Sequence, residues 1–133
     1  MPETYNPEGW ARPRGYSQVV AGEGRHVFLA GQIGWNPRTE KLEAKNLAEE
    51  ARQTLANVVE ALAAAGAGPQ HLAAMTWYVT DLDAYRAAAK DIGKAYRELI
   101  GNHLPAITLV LVPGLLMEEA RIEIEARAII QKD

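Results

Sequence analysis

The chain has no cysteine. That absence excludes disulfides, thiolate catalysis and Cys-ligated metal sites together, and it fits a reducing compartment. Phenylalanine occurs once. The three histidines, His26, His71 and His103, have no ligand spacing, so no metal site is expected. Charge of either sign is scarce in excess: 14 basic against 17 acidic residues give a net charge of -3 with no basic stripe, which counts against nucleic acid as the main ligand. The longest apolar run, Leu104 to Val112, is broken by Pro105 and Thr108 and falls far short of the roughly 20 residues that cross a bilayer. The first ten residues contain no apolar leader core. No membrane association is expected, and the chain reads as a cytoplasmic protein.

Apolar residues make up 48% of the chain and charged residues 23%, enough for one folded domain over 133 residues, 1–133, with an irregular N-terminal segment 1–15. Tyr16 to Ala21 and His26 to Ala30 read as two strands of an antiparallel hairpin around Glu23-Gly24, the second stopping at Gly31. Asn46 with Glu49 three residues on marks a helix start. Leu47, Ala51, Leu55, Val58, Val59 and Leu62 then share one helical face, and Gly66 stands where a C-cap glycine belongs. Met75 to Thr80 reads as a strand. Asp81 or Asp83 caps a second helix with Tyr85, Ala88, Ile92, Ala95 and Leu99 on its apolar face. Ile107 to Val112 is an apolar strand, the pattern of a strand covered on both faces, and Arg121 to Ile130 alternates strictly.

The order is β-β-α-β-α-β-β, an α/β (α+β) pattern in which two helices cover one sheet face. An apolar strand on a sheet with one helical layer leaves surplus apolar surface, which argues for burial against another copy of the chain.

Five stretches then line up with a known family. They are Gly15-Tyr16-Ser17-Gln18, Ala30-Gly31-Gln32-Ile33 with Asn36-Pro37, Thr76 to Leu82, Pro105-Ala106, and Ile122-Glu123-Ile124-Glu125-Ala126. In this order and spacing, over about residues 13 to 130, the chain resembles the RidA (YjgF) family of enamine/imine deaminases. The resemblance implies a chorismate-mutase-like fold (the Bacillus chorismate mutase type) and a homotrimer whose sheets form a central barrel with helices outside. It implies a small-molecule ligand at each subunit interface and no cofactor. The family's reaction is hydrolysis of an imine with release of ammonia, and a ribonuclease activity has been assigned to some members.

Glu123 matches the family's water-handling glutamate. Read from the residues alone, Glu123 and Glu125 share a solvated strand face with Arg121 and Arg127 and form ion pairs. Tyr16 matches the cleft tyrosine, which donates a hydrogen bond or forms an aromatic wall. Ala30, Gly31 and Gln32 occupy the turn where backbone approaches ligand, and Trp35 is placed to stack on one. Ile107 stands where the deaminases have arginine, and an apolar side chain cannot make a bidentate pair with a carboxylate. Arg12 and Arg14 are candidates for a replacement cation, although such residues are more often solvated surface charges. Gly93 falls near a position often held by asparagine. The enzyme reading is therefore a deaminase without the arginine clamp, and the alternative is a non-catalytic metabolite-binding or regulatory trimer. Met1-Pro2 raises one further reading, an N-terminal proline base as in small trimeric tautomerases. That use needs proline at the start of a strand, and Glu3 to Pro7 does not read as one.

Overall fold

Asn46 opens helix α1 (Leu47–Ala64) by accepting the Glu49 N–H at 2.9 Å in this computed structural model, which describes residues 2–132. The Glu49 carboxylate reaches back to the Lys45 N–H at 2.8 Å, one residue before the partner a reciprocal capping box would use. Gly66 adopts φ 77°, and the Ala67 N–H returns to the Leu62 carbonyl at 3.0 Å, closing the helix as expected. Helix α2 (Leu82–Leu99) is capped by Asp81, which accepts the Ala84 N–H at 2.9 Å; Asp83 lies inside the first turn.

Six strands accompany the helices: β1 (Glu3–Tyr5), β2 (Val19–Ala21), β3 (Arg25–Ile33), β4 (Leu72–Val79), β5 (Ala106–Leu111) and β6 (Ile122–Ile130). Four of them form the main sheet in the order β3-β6-β4-β5. Within that sheet β4 and β5 pair in parallel, with α2 as their crossover. Leu72, Met75, Trp77 and Val79 of β4 meet Ile122, Ile124, Ala126 and Ala128 of β6 beneath the helices, and Leu55, Val58 and Leu62 of α1 seal them with no exposed surface. Both helices lie on this one face, as the element order implies.

The N-terminus departs from expectation. Glu3–Tyr5 is a strand, and it pairs antiparallel with Val19–Ala21, Thr4 opposite Val20. The expected hairpin between the Tyr16–Ala21 segment and β3 therefore does not form. The cause lies just upstream: Ser17 is buried, donates its hydroxyl to the Leu104 carbonyl at 2.5 Å and its N–H to the Pro105 carbonyl at 3.0 Å, and bridges Ala106 in parallel. These bonds draw the segment to the β5 edge. Pro2 does precede a strand, against expectation, and it is buried beside Gly22.

Strand β3 does not stop at Gly31. It continues to Ile33 through a register shift between Leu29 and Gln32, opposite Ala126 and Ile124 of β6. Strand β5 is not covered on both faces within one chain: Val110 is 37% and Leu111 54% exposed, and Phe28 on the far edge of the sheet is 69% exposed. The surplus apolar surface anticipated from the sequence is on the molecule.

Candidate functional site

Alternation along β6 places Ile122 and Ile124 in the core, so Glu123, Glu125 and Arg127 project from the opposite, helix-free face. The ion pairs expected on that face do not form. Arg121 turns to the buried Glu50, whose carboxylate accepts its backbone N–H at 2.6 Å and its Nε–H at 3.1 Å. The Arg127 guanidinium sits 5.6 Å over the Phe28 ring. Glu125 accepts the Tyr78 hydroxyl at 2.5 Å, and this bond, with desolvation and the charges of Glu125 and Glu123, holds the Tyr78 phenol above its ordinary pKa. Among the described residues Glu123 has neither an ion pair nor a side-chain hydrogen bond.

Glu123 instead lies on Gly31. A Cβ built at Gly31 would fall 2.8 Å from Glu123 Cδ and 3.1 Å from Oε2. The absent side chain at position 31 is what admits the carboxyl group there. Ala30 is exposed beside it, and its carbonyl accepts Gln32 Nε2 at 3.0 Å. Asn57, buried in α1, fixes the following turn by donating to the carbonyls of Ile33 (2.9 Å) and Trp35 (2.8 Å). The Trp35 side chain is half-buried and belongs to neither the Gly31 group nor the cavity described next.

On the helix side of the sheet a cavity of about 550 Å³ opens between α2, β5 and the N-terminal segment. Ile107 is opposite Met75, and Leu109 opposite Trp77, so both β5 side chains share the helix-side face and line it. Tyr16, Trp77, Tyr85 and Tyr96 supply aromatic walls. Tyr96 donates its hydroxyl to the His103 carbonyl at 2.8 Å, and burial raises the pKa of both Tyr85 and Tyr96. Trp77 is 4% exposed, and its indole N–H has no acceptor among the described residues.

The structure thus sorts the residues predicted for the site, Trp35 apart, into two groups. Tyr16 and Ile107 share the cavity; Ala30, Gly31, Gln32 and Glu123 gather at the β3–β6 register shift, with Glu123 on the other sheet face. Trp77, Tyr85 and Tyr96 were not singled out as site residues from sequence, because each reads as part of an apolar strand or helix face. Their signal was the small pair Ala89 and Gly93 among them, which leaves space where a larger residue would fill it. Among the described residues no group of three or more His, Asp or Glu is placed to hold a metal ion, and no described helix is long and apolar enough to cross a membrane.

Residues 10–130 match the family described as Endoribonuclease L-PSP. The human 2-iminobutanoate/2-iminopropanoate deaminase is 33% identical over 114 residues, covering 86% of this chain and 79% of its own. A RutC family protein of Pyrococcus horikoshii is 33% identical over 96% of this chain and 98% of its own. Among solved structures, a Rid-family protein of unknown function from Yersinia pestis superposes with a TM-score of 0.81 at 32% identity, covering 97% of this chain and 98% of that one. The YjgF gene product of E. coli gives a TM-score of 0.72 at 31% identity over 87% and 88%. The chain therefore belongs to the Endoribonuclease L-PSP family, the RidA/YjgF family that its motifs resemble, and has the family's chorismate-mutase-like α+β fold.

Proposed function

We propose that this protein is a RidA-like hydrolase that deaminates an enamine or imine metabolite. The observation that carries the reading is Glu123, a carboxylate in no ion pair among the described residues and resting on the bare backbone of Gly31. The imine deaminases among its relatives support the same chemistry. Glu123 takes a proton from water as the water oxygen bonds to the imine carbon. It passes that proton to nitrogen, giving a carbinolamine, and then moves the hydroxyl proton to nitrogen as the C=O bond forms and the C–N bond breaks, leaving a carbonyl compound and ammonia. Tyr16 orients the ligand from the cavity wall.

Tyr16 and Glu123 stand on opposite faces of one sheet, so they act on one molecule only if the second comes from another copy. This favours a homotrimer with the ligand at the subunit interface, and the bare apolar surface at Phe28, Val110 and Leu111 is what such an assembly covers. The lack of cysteine fits work in a reducing cytoplasm.

Ile107, where the deaminases of the resemblance carry arginine, favours a second reading in which the cleft binds a metabolite without turning it over. The test follows loss of imines generated in situ, with and without the protein, with Glu123→Ala as the matched control. Acceleration by the native chain that the variant lacks supports the deaminase. No acceleration for any imine, together with ligand-dependent thermal stabilisation, favours the binding trimer. The family's ribonuclease reading predicts cleavage of RNA by the same preparation, against which the net charge of -3 argues.

A further inference from the structure

The walls of the cavity are charged in one sense only. Arg14 and Arg97 stand at its lining, and no aspartate or glutamate does, although acidic residues outnumber basic ones in the chain. Neither arginine is in an ion pair among the described residues. Arg97 lies one turn after Gly93 on α2, and its guanidinium folds back over that glycine: a Cβ built at Gly93 would be 3.4 Å from Arg97 Nη1. An unpaired guanidinium beside an aromatic-walled hollow is a ready partner for a carboxylate. Trp77 also lines the cavity, and its buried indole N–H has no acceptor among the described residues.

The interior is apolar and aromatic, with Ile107 and Leu109 on one side and Tyr16, Tyr85 and Tyr96 around them. A three- or four-carbon acid would leave most of about 550 Å³ unfilled. An aryl side chain fills it and gains the ring contacts.

We infer that the ligand of this cavity is an aromatic 2-imino acid, its ring among Tyr16, Tyr85 and Trp77 and its carboxylate on Arg97 and Arg14. The anion clamp is thereby moved from β5, where Ile107 stands, to α2 and the N-terminal segment. The assignment rests on the deaminase reading for its chemistry. In that reaction water adds across the C=N bond and ammonia leaves, giving the aromatic 2-oxo acid with the carboxylate unchanged.

The stable 2-oxo acid products serve as probes. Calorimetric titration would compare phenylpyruvate with pyruvate, which lacks the ring, and with phenylacetone, which lacks the carboxylate. Phenylpyruvate is expected to bind at least about tenfold more tightly than either. Arg97→Ala and Arg14→Ala each weaken it, and the double variant removes its advantage over phenylacetone. Both arginines are exposed, so the variants keep the fold, which circular dichroism checks. Equal binding of pyruvate and phenylpyruvate, or an advantage over phenylacetone that survives in the double variant, overturns the assignment. Parallel hydrolysis assays, with imines made by an amino-acid oxidase from phenylalanine and from alanine, separate the two levels. Arginine-dependent phenylpyruvate binding with no imine hydrolysed would refute the deaminase and keep the ligand class. Glu123-dependent hydrolysis with no preference for the aromatic imine would refute the ligand class and keep the deaminase.

Discussion

Replacing Asn57 by alanine tests whether the turn that follows Gly31 at the end of β3 is held from the helix. The Asn57 amide nitrogen donates to two backbone carbonyls, Ile33 at 2.9 Å and Trp35 at 2.8 Å, and its oxygen accepts Gln53 Nε2 at 2.8 Å. The residue is 3% exposed. Each such bond contributes about 1 kcal/mol net, and a buried carbonyl left without a donor costs more than the bond itself. Two carbonyls lose their donor here, one of them only partly buried, so Asn57→Ala should destabilise the protein by about 2–3 kcal/mol. At this chain length that corresponds to a fall in Tm of roughly 10 °C. Urea unfolding followed by far-ultraviolet circular dichroism measures it. Gln53→Ala is the control, since it removes a donor to Asn57 and strands no backbone group; its cost should stay within about 1 kcal/mol. A loss below about 1 kcal/mol in Asn57→Ala would mean that water satisfies both carbonyls, and that the turn holds its shape without the helix.

Three further outcomes are expected. Gly31→Ala should leave stability within about 1 kcal/mol, because the displaced atoms are the flexible end of Glu123, yet slow imine hydrolysis by tenfold or more as the carboxyl is pushed off the backbone; equal rates would detach Glu123 from this position. Leu55→Ala removes a side chain with no exposed surface from the contact between α1 and the sheet and should cost about 3 kcal/mol in urea unfolding, whereas a cost under about 1 kcal/mol would mean the core closes over the gap. Burial raises the Tyr85 and Tyr96 phenols above their unfolded value of 10.0, so the stability they hold is complete below pH 10 and is lost as the pH rises beyond it, by up to about 1.4 kcal/mol per pH unit for Tyr96 and by less for the partly exposed Tyr85. Unfolding at pH 9, 10 and 11 should show that loss, and Tyr96→Phe should reduce it to the part that Tyr85 contributes; a flat profile in the native chain would place both phenols in water.

Helix ends were legible because their chemistry is local: Asn46 and Asp81 each accept an N–H three residues on, and Gly66 takes the positive φ that ends α1. The alternation from Ile122 to Ile130 was legible for the same reason. Strand β1 was not. Its three residues are all exposed, so they carry no apolar alternation, and their partners lie about fifteen residues away. Glu123 was found through its motif, but its freedom was invisible. Position alone paired it with Arg121 and Arg127, whereas Arg121 goes to Glu50, 71 residues off in sequence, and Arg127 covers Phe28.

The cavity shows a different limit. Tyr85, Ile92 and Ala95 were read correctly as the buried face of α2, and a buried face is usually taken to be filled. Whether it is filled depends on what stands between the large residues. Ala89 and Gly93, one turn apart, leave the hollow, and Gly93 also clears the path along which Arg97 folds back. From sequence Arg97 is one more charge on a helix surface, and Ile107 is a missing charge on a strand. Only the register of β5 against β4, with Ile107 beside Met75 under the helices, brings those two facts to one cavity. A motif comparison records a loss at position 107; the fold supplies a cation from another element to the same space. On the inference drawn above, the cation of this chain's cavity is carried by α2 and the N-terminal segment, so the isoleucine at position 107 does not by itself exclude a carboxylate ligand.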